Sequence, residues 1–84
     1  MRYEVRLKPR SRKDLVKIPE SDAAKILEAL ELLEEDLAGD VKRLTDFTPE
    51  YRLRVGDYRV LFEIEQTNQV VVYRVRHRRE AYRT

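Results

Sequence analysis

The 84 residues predict an α+β domain of order β-α-α-β-β-β, with two helices packed on one face of a small antiparallel sheet. Three observations carry that reading. Apolar and polar residues alternate with period two through YRLRV, YRVLFEIE and VVVYRVR, three runs separated by a Gly56-Asp57 turn and a Gln/Thr/Asn turn, as in an antiparallel meander. Between Pro19 and Gly39 the apolar residues recur instead at three- and four-residue spacing, which is helical. The opening residues 2–7 alternate again, adding a first strand with Tyr3, Val5 and Leu7 on its buried side. No repeat or low-complexity linker interrupts the chain, and its length suits a single domain spanning 1–84.

Each element has a local cause. Pro9 ends the first strand and opens a short helix from residue 9 or 10 to about 17, because a proline at the first helical position lacks only an N–H that would be unpaired anyway. That helix carries Arg10, Arg12, Lys13 and Lys17 around Leu15 and Ile18. Pro19 breaks the chain. A second helix, capped at Ser21 and closed by Gly39, is expected to run to about residue 37 on a stripe of Ala23, Ile26, Leu27, Leu30, Leu33 and Leu37. Glu28, Glu31, Glu34, Glu35 and Asp36 then face away, and Ala29 and Leu32 lie off the stripe. Residues 41–48 read as a connecting loop that tucks Leu44 and Phe47 under the sheet edge.

With Gly56-Asp57 as a two-residue loop, the register sets Val55 against Tyr58, Arg54 against Arg59, Leu53 against Val60 and Tyr51 against Phe62. Continued through the second turn, it sets Ile64 against Val71, Phe62 against Tyr73, Val60 against Val75 and Arg59 against Arg76. Arg54, Arg59 and Arg76 thus form a row across three strands. Like charges placed opposite one another cost a sheet ~0.2–1 kcal/mol per pair, so the row asks for an anion. Guanidinium forks match phosphate oxygens and stay charged at any relevant pH, which makes a nucleic-acid backbone the natural partner. The bland alternative is a solvated face partly neutralised by Glu63 and Glu65.

Composition excludes much else. The chain has no cysteine, one histidine and two glycines, so it offers neither a disulfide framework nor a zinc site, and no phosphate-cradling glycine loop. No Ser/His/Asp set suggests acyl transfer, and no cofactor or metal is implied. Without an apolar run long enough to span a bilayer, the expected setting is the cytoplasm, with no membrane partner. The net charge of +2 conceals a segregation: residues 1–19 hold seven Lys/Arg against two acids, residues 20–40 one against eight, and residues 41–84 ten against six. A basic surface for nucleic acid and an acidic helix follow.

The segments RYEVRL, LVKIP, VKRL, YRLRVGDYRVLFEI and VVVYRVRHRREAYR together resemble the RelE/ParE superfamily of toxins from bacterial toxin–antitoxin systems, and more closely its RelE branch. The likeness covers nearly the whole chain, and the last two segments are the specific ones. It implies a ribosome-dependent mRNA endoribonuclease, acting on mRNA in the ribosomal A site and neutralised by a cognate antitoxin. It further implies catalytic roles for Arg59, for Arg79 with Arg78 beside it, and for Tyr82. Where RelE carries two lysines on the preceding strand, this chain has Arg52 and Arg54.

Such cleavage needs no protein nucleophile. The neighbouring 2′-hydroxyl attacks the phosphate and leaves a 2′,3′-cyclic phosphate, so the protein must handle two protons and steady the oxyanions. Arg59 suits the oxyanion, Arg52, Arg54, Arg76 and Arg78 extend RNA binding, and Tyr82 is suited to stack on or orient a base or ribose. Arginine is a poor base, and this draws attention to His77, whose residue type titrates near pH ~6.5. Strand parity nevertheless puts His77 on the side of Val75 and Tyr73, so a catalytic and a core-edge reading stay open together. Glu50 is a further candidate base. The alternatives to a nuclease are a ParE-like toxin acting on DNA gyrase without cutting RNA, and a catalytically silent member that only binds RNA or its antitoxin.

Overall fold

The computed structural model describes residues 1–81, in the order β1 (Glu4–Leu7), α1 (Pro9–Lys17), α2 (Glu20–Leu33), β2 (Asp40–Arg43), β3 (Tyr51–Val55), β4 (Tyr58–Glu65) and β5 (Gln69–His77). The strands form one sheet in the order β1-β5-β4-β3-β2. The two helices and the meander stand as the sequence predicts, with two corrections to the sheet. It is mixed rather than antiparallel, because β1 pairs in parallel with β5. It also has a fifth strand, since residues 40–43, most of them in the stretch expected to be loop from 41 on, pair antiparallel with β3.

The β3–β4 hairpin keeps the expected register, Val55 with Tyr58 through Tyr51 with Phe62, around a turn where Gly56 takes a left-handed φ of +56°. Between β4 and β5, Arg59 still faces Arg76 and Val60 faces Val75, but a bulge at Leu61/Phe62 then shifts the ladder by one. Phe62 therefore faces Val72 and Ile64 faces Val70, not Tyr73 and Val71. A bulge places one extra residue on a strand and re-aims the side chains beyond it. The shift lets Val70 and Val72 join the core on the side of Val60 and Val75.

That core lies between the sheet and the helices. Ile26, Leu30 and Leu33 of α2 pack with Leu53, Val60, Phe62, Val70, Val72 and Val75, and Leu15 and Ile18 of α1 pack against the same cluster. Tyr51 stacks on Phe62 at 5.5 Å between ring centroids. The α2 stripe is rotated from expectation: Ala29 packs on the core, whereas Leu27 is 46% exposed. The helix begins after Pro19 with no side-chain cap from Ser21 and ends at Leu33, four residues early. The cause is tertiary. The N-terminal segment competes for the chain there, with Tyr3 N–H donating to the Glu34 carbonyl, Asp36 N–H to the Met1 carbonyl, and the terminal ammonium meeting the Asp36 carboxylate. Asp36 and Leu37 then turn left-handed, at φ 55° and 57°.

α1 lies along β5 where β1 no longer does. β1 stops opposite Val72, and past it the Val75 N–H donates 2.9 Å to the Asp14 carboxylate. The same carboxylate takes two bonds from the Arg74 guanidinium, at 2.8 and 3.0 Å. One aspartate thereby satisfies a strand N–H that has run out of sheet and ties helix to sheet. Among the described residues no helix is long and apolar enough to cross a membrane.

Candidate nucleic-acid interface

The face turned away from the helices is where the cations gather. Register sets Asp40, Arg54, Arg59 and Arg76 in one row across β2, β3, β4 and β5, and Lys42, Arg52, Leu61 and Arg74 in the next. Strand β2 thus contributes Lys42 to a face that the loop reading of residues 41–48 had left without it. A cleft of about 560 Å³ opens there, lined by Lys42, Arg43, Arg52, Arg54 and Arg59 together with Leu44, Thr45 and Phe47. Among the described residues five cations line it and no carboxylate does; Arg43 and Arg52 are paired with Glu50 and Asp40 behind it, and the field of Lys42, Arg54 and Arg59 favours an anion.

The cations are held in different ways. Arg52, largely covered, donates from Nη1 to the Asp40 carbonyl at 2.8 Å and to its carboxylate at 3.2 Å. Arg59 folds over its own turn, with Nη1 donating to the carbonyls of Gly56 (3.0 Å) and Tyr58 (2.9 Å). These neutral acceptors fix the guanidinium without cancelling its charge. Arg54 is exposed and has no hydrogen-bond or ion-pair partner among the described residues. Arg43 reaches the Glu50 carboxylate. Glu63 and Glu65, the candidate neutralisers, are occupied elsewhere: Glu63 accepts from the Glu50 N–H at 2.8 Å, and Glu65 from the Tyr73 hydroxyl at 2.7 Å. That last bond, with burial and the charges of Glu65 and Glu63 behind it, pushes the Tyr73 hydroxyl pKa up.

The other sequence-predicted residues lie around this cleft or apart from it. Arg76 neighbours Arg59 in the ladder and donates to the Glu80 carbonyl at 3.2 Å, but it does not line the cleft. Arg78 sits over the β3–β4 turn, its N–H donating 2.7 Å to the Asp57 carbonyl. Arg79 is exposed, with its backbone N–H 3.3 Å from His77 Nδ1. His77 follows strand parity: its ring meets Tyr58 edge-on at 5.5 Å and lines a separate cavity with Asp14, Ile18 and Glu80. Tyr82 lies outside the described residues. Glu50 borders a neighbouring cleft under the 44–48 loop. Lys42, Arg43, Leu44, Thr45 and Phe47 are the lining residues that sequence reasoning missed as site candidates; the only available signal was the Val41/Lys42 alternation, too short to separate from loop.

Arg74 is the exception on this face. Asp14 neutralises it at the α1–β5 junction. Burial works against the Asp14 carboxylate, but the hydrogen bonds from Arg74 and Val75, with the charges of Arg74 and Arg76, outweigh it and hold its pKa below the usual 3.8.

Against known proteins, residues 5–82 match the family described as the ParE toxin of the type II toxin–antitoxin system parDE. The RelE1 toxin candidate of Methanocaldococcus jannaschii is 32% identical over 84 residues, covering 95% of this chain and 93% of that protein. The RelBE2 toxin–antitoxin complex of Mycobacterium tuberculosis contains a chain that superposes with a TM-score of 0.78 at 31% identity, covering 92% of this chain and 99% of that one. A chain of the archaeal RelE–RelB complex of Pyrococcus horikoshii gives 0.76 at 28% identity, covering 96% and 100%.

Proposed function

This chain belongs to the RelE/ParE superfamily of toxins from type II toxin–antitoxin systems, and we propose that it is a metal-independent endoribonuclease that cuts mRNA in the ribosomal A site. It works in the cytoplasm and is silenced by a cognate antitoxin, a partner supported by the toxin–antitoxin complexes among its structural neighbours. The observation that carries the reading is the cleft over β2, β3 and β4, lined among the described residues by five cations and no carboxylate.

In this reading the scissile phosphate enters the cleft. Arg59, fixed by two carbonyls, presents its remaining N–H groups to the phosphate oxygens as charge builds on them, and Arg52 and Arg54 hold the flanking backbone. Arg76, Arg78 and Arg79 extend the positive field toward the tail, and Tyr82 orients the base or ribose. The 2′-hydroxyl supplies the nucleophile, so the protein contributes position and charge rather than a covalent intermediate. His77 stands apart from this cleft, against Tyr58.

One observation favours a second reading. The matching family is described by its ParE members, and Arg52 and Arg54 replace the lysines of RelE, which leaves room for a toxin that binds DNA gyrase without cutting RNA. Induced expression in a bacterium, with mRNA ends mapped on translated and untranslated messages, separates the two. Cuts confined to translated messages support the nuclease, and DNA damage without such cuts supports gyrase poisoning.

A further inference from the structure

We infer that Lys42 is the general acid of the reaction, delivering a proton to the departing 5′-oxygen; this rests on the ribonuclease reading above. RNA cleavage by the 2′-hydroxyl needs a proton donor at the leaving group, and the cleft offers few. Four of its five cations are arginines, which do not give up a proton in proteins. A lysine ammonium holds its proton less tightly than a guanidinium does and is the better donor of the two. Lys42 is the lysine lining this cleft, and its place is set by the backbone: it sits in β2 directly across from Arg52, on the face shared with Arg54 and Arg59. It is exposed and has no ion-pair or hydrogen-bond partner among the described residues, so its ammonium is at liberty to turn to a substrate. The histidine that would otherwise serve lies on the other side of the sheet, against Tyr58.

The step balances without a cofactor. The 2′-oxygen forms its bond to phosphorus while its proton passes to solvent water. The bond from phosphorus to the 5′-oxygen breaks, its electron pair stays on that oxygen, and the oxygen takes a proton from Lys42 Nζ. The products are a 2′,3′-cyclic phosphate and a 5′-hydroxyl, and the neutral amine regains a proton from water.

The test uses the full chain, ribosomes programmed with a defined message, and a second message whose scissile bond carries sulfur in place of the 5′-oxygen. A thiolate leaves without protonation. Lys42→Ala and Lys42→Arg should each slow cleavage of the ordinary message by about 100-fold, within the range for losing a general acid, and cut the sulfur-bridged message at close to the wild-type rate. Arginine keeps the charge but not the transferable proton, so full activity of Lys42→Arg on the ordinary message overturns the assignment. So does an equal loss on both messages in folded variants, as judged by circular dichroism. If the wild-type chain cuts neither message, the ribonuclease reading falls and takes this inference with it. If it cuts both and the variants do too, only the role of Lys42 falls.

Discussion

Arg74 and Arg59 lie on the same face of the sheet, on neighbouring strands, and the fold treats them in opposite ways. Arg74 is clamped by both oxygens of Asp14, half-buried at the α1–β5 junction. Among the described residues Arg59 is steadied by the neutral carbonyls of Gly56 and Tyr58, and its ladder neighbours Arg54 and Arg76 are cations too. Asp14 is given over to Arg74, whereas Asp40, which faces Arg54 in the ladder, bonds to Arg52 and leaves Arg54 and Arg59 without an ion pair among the described residues. The difference teaches that one arginine is used to join two elements, while Arg54 and Arg59 sit side by side at a local cost to the sheet and keep their charge at the surface.

The sharpest way to break that comparison is Arg59→Ala. Removing one preorganised donor from a site of developing charge costs on the order of 100- to 1,000-fold in rate. Ribosome-dependent cleavage and growth inhibition should fall by that amount while urea unfolding stays at wild-type stability or rises slightly through relieved repulsion. A variant that loses stability yet keeps its activity per folded molecule would show the row to be structural.

Asp14→Asn probes the other region. It leaves the half-buried Arg74 without its carboxylate and should cost about 2 kcal/mol in urea unfolding, with cleavage per folded molecule unchanged. The pH dependence sharpens this. The folded pKa of Asp14 is depressed, so its contribution is complete above the unfolded value near 3.8 and is lost as pH falls through the lower folded value. The stability gap between wild type and Asp14→Asn should therefore be constant near neutrality and close below pH 3.8. A gap that persists undiminished in acid would mean that packing, not charge, holds the junction.

The smallest effect is expected at His77. Its ring packs against Tyr58 outside the cationic cleft, so His77→Gln should cost about 0.5–1 kcal/mol of stability and leave the cleavage profile between pH 6 and 8 unmoved. A shifted profile would put proton transfer on the helix side of the sheet and return the histidine to the mechanism.

Much of this was legible in the residues, for reasons that also explain the rest. The Arg54–Arg59–Arg76 row followed from period two and a two-residue Gly-Asp turn, both local. Strand β2 did not, because DVKR is short and mostly charged, and it is a strand only through its partner β3. The bulge that moved Tyr73 out of register with Phe62 leaves no mark in an unbroken VVVY run. The parallel pairing of β1 with β5 and the early end of α2 depend on contacts between distant parts of the chain, which no window of sequence contains. His77 kept the side that parity gave it, whereas the pull of its residue type toward chemistry pointed elsewhere. Tyr82 lies outside the described residues.

The position of β5 has a consequence for when the cell meets this protein. It is the last strand in chain order yet lies inside the sheet, between β1 and β4. A nascent polypeptide that has emerged only as far as Glu65 holds β2, β3 and β4 but lacks the strand that β1 pairs with and α1 lies along, and its core is missing Val70, Val72 and Val75. Prematurely terminated translation products should therefore be harmless debris for proteases rather than partial poisons, and an antitoxin need guard only against finished copies.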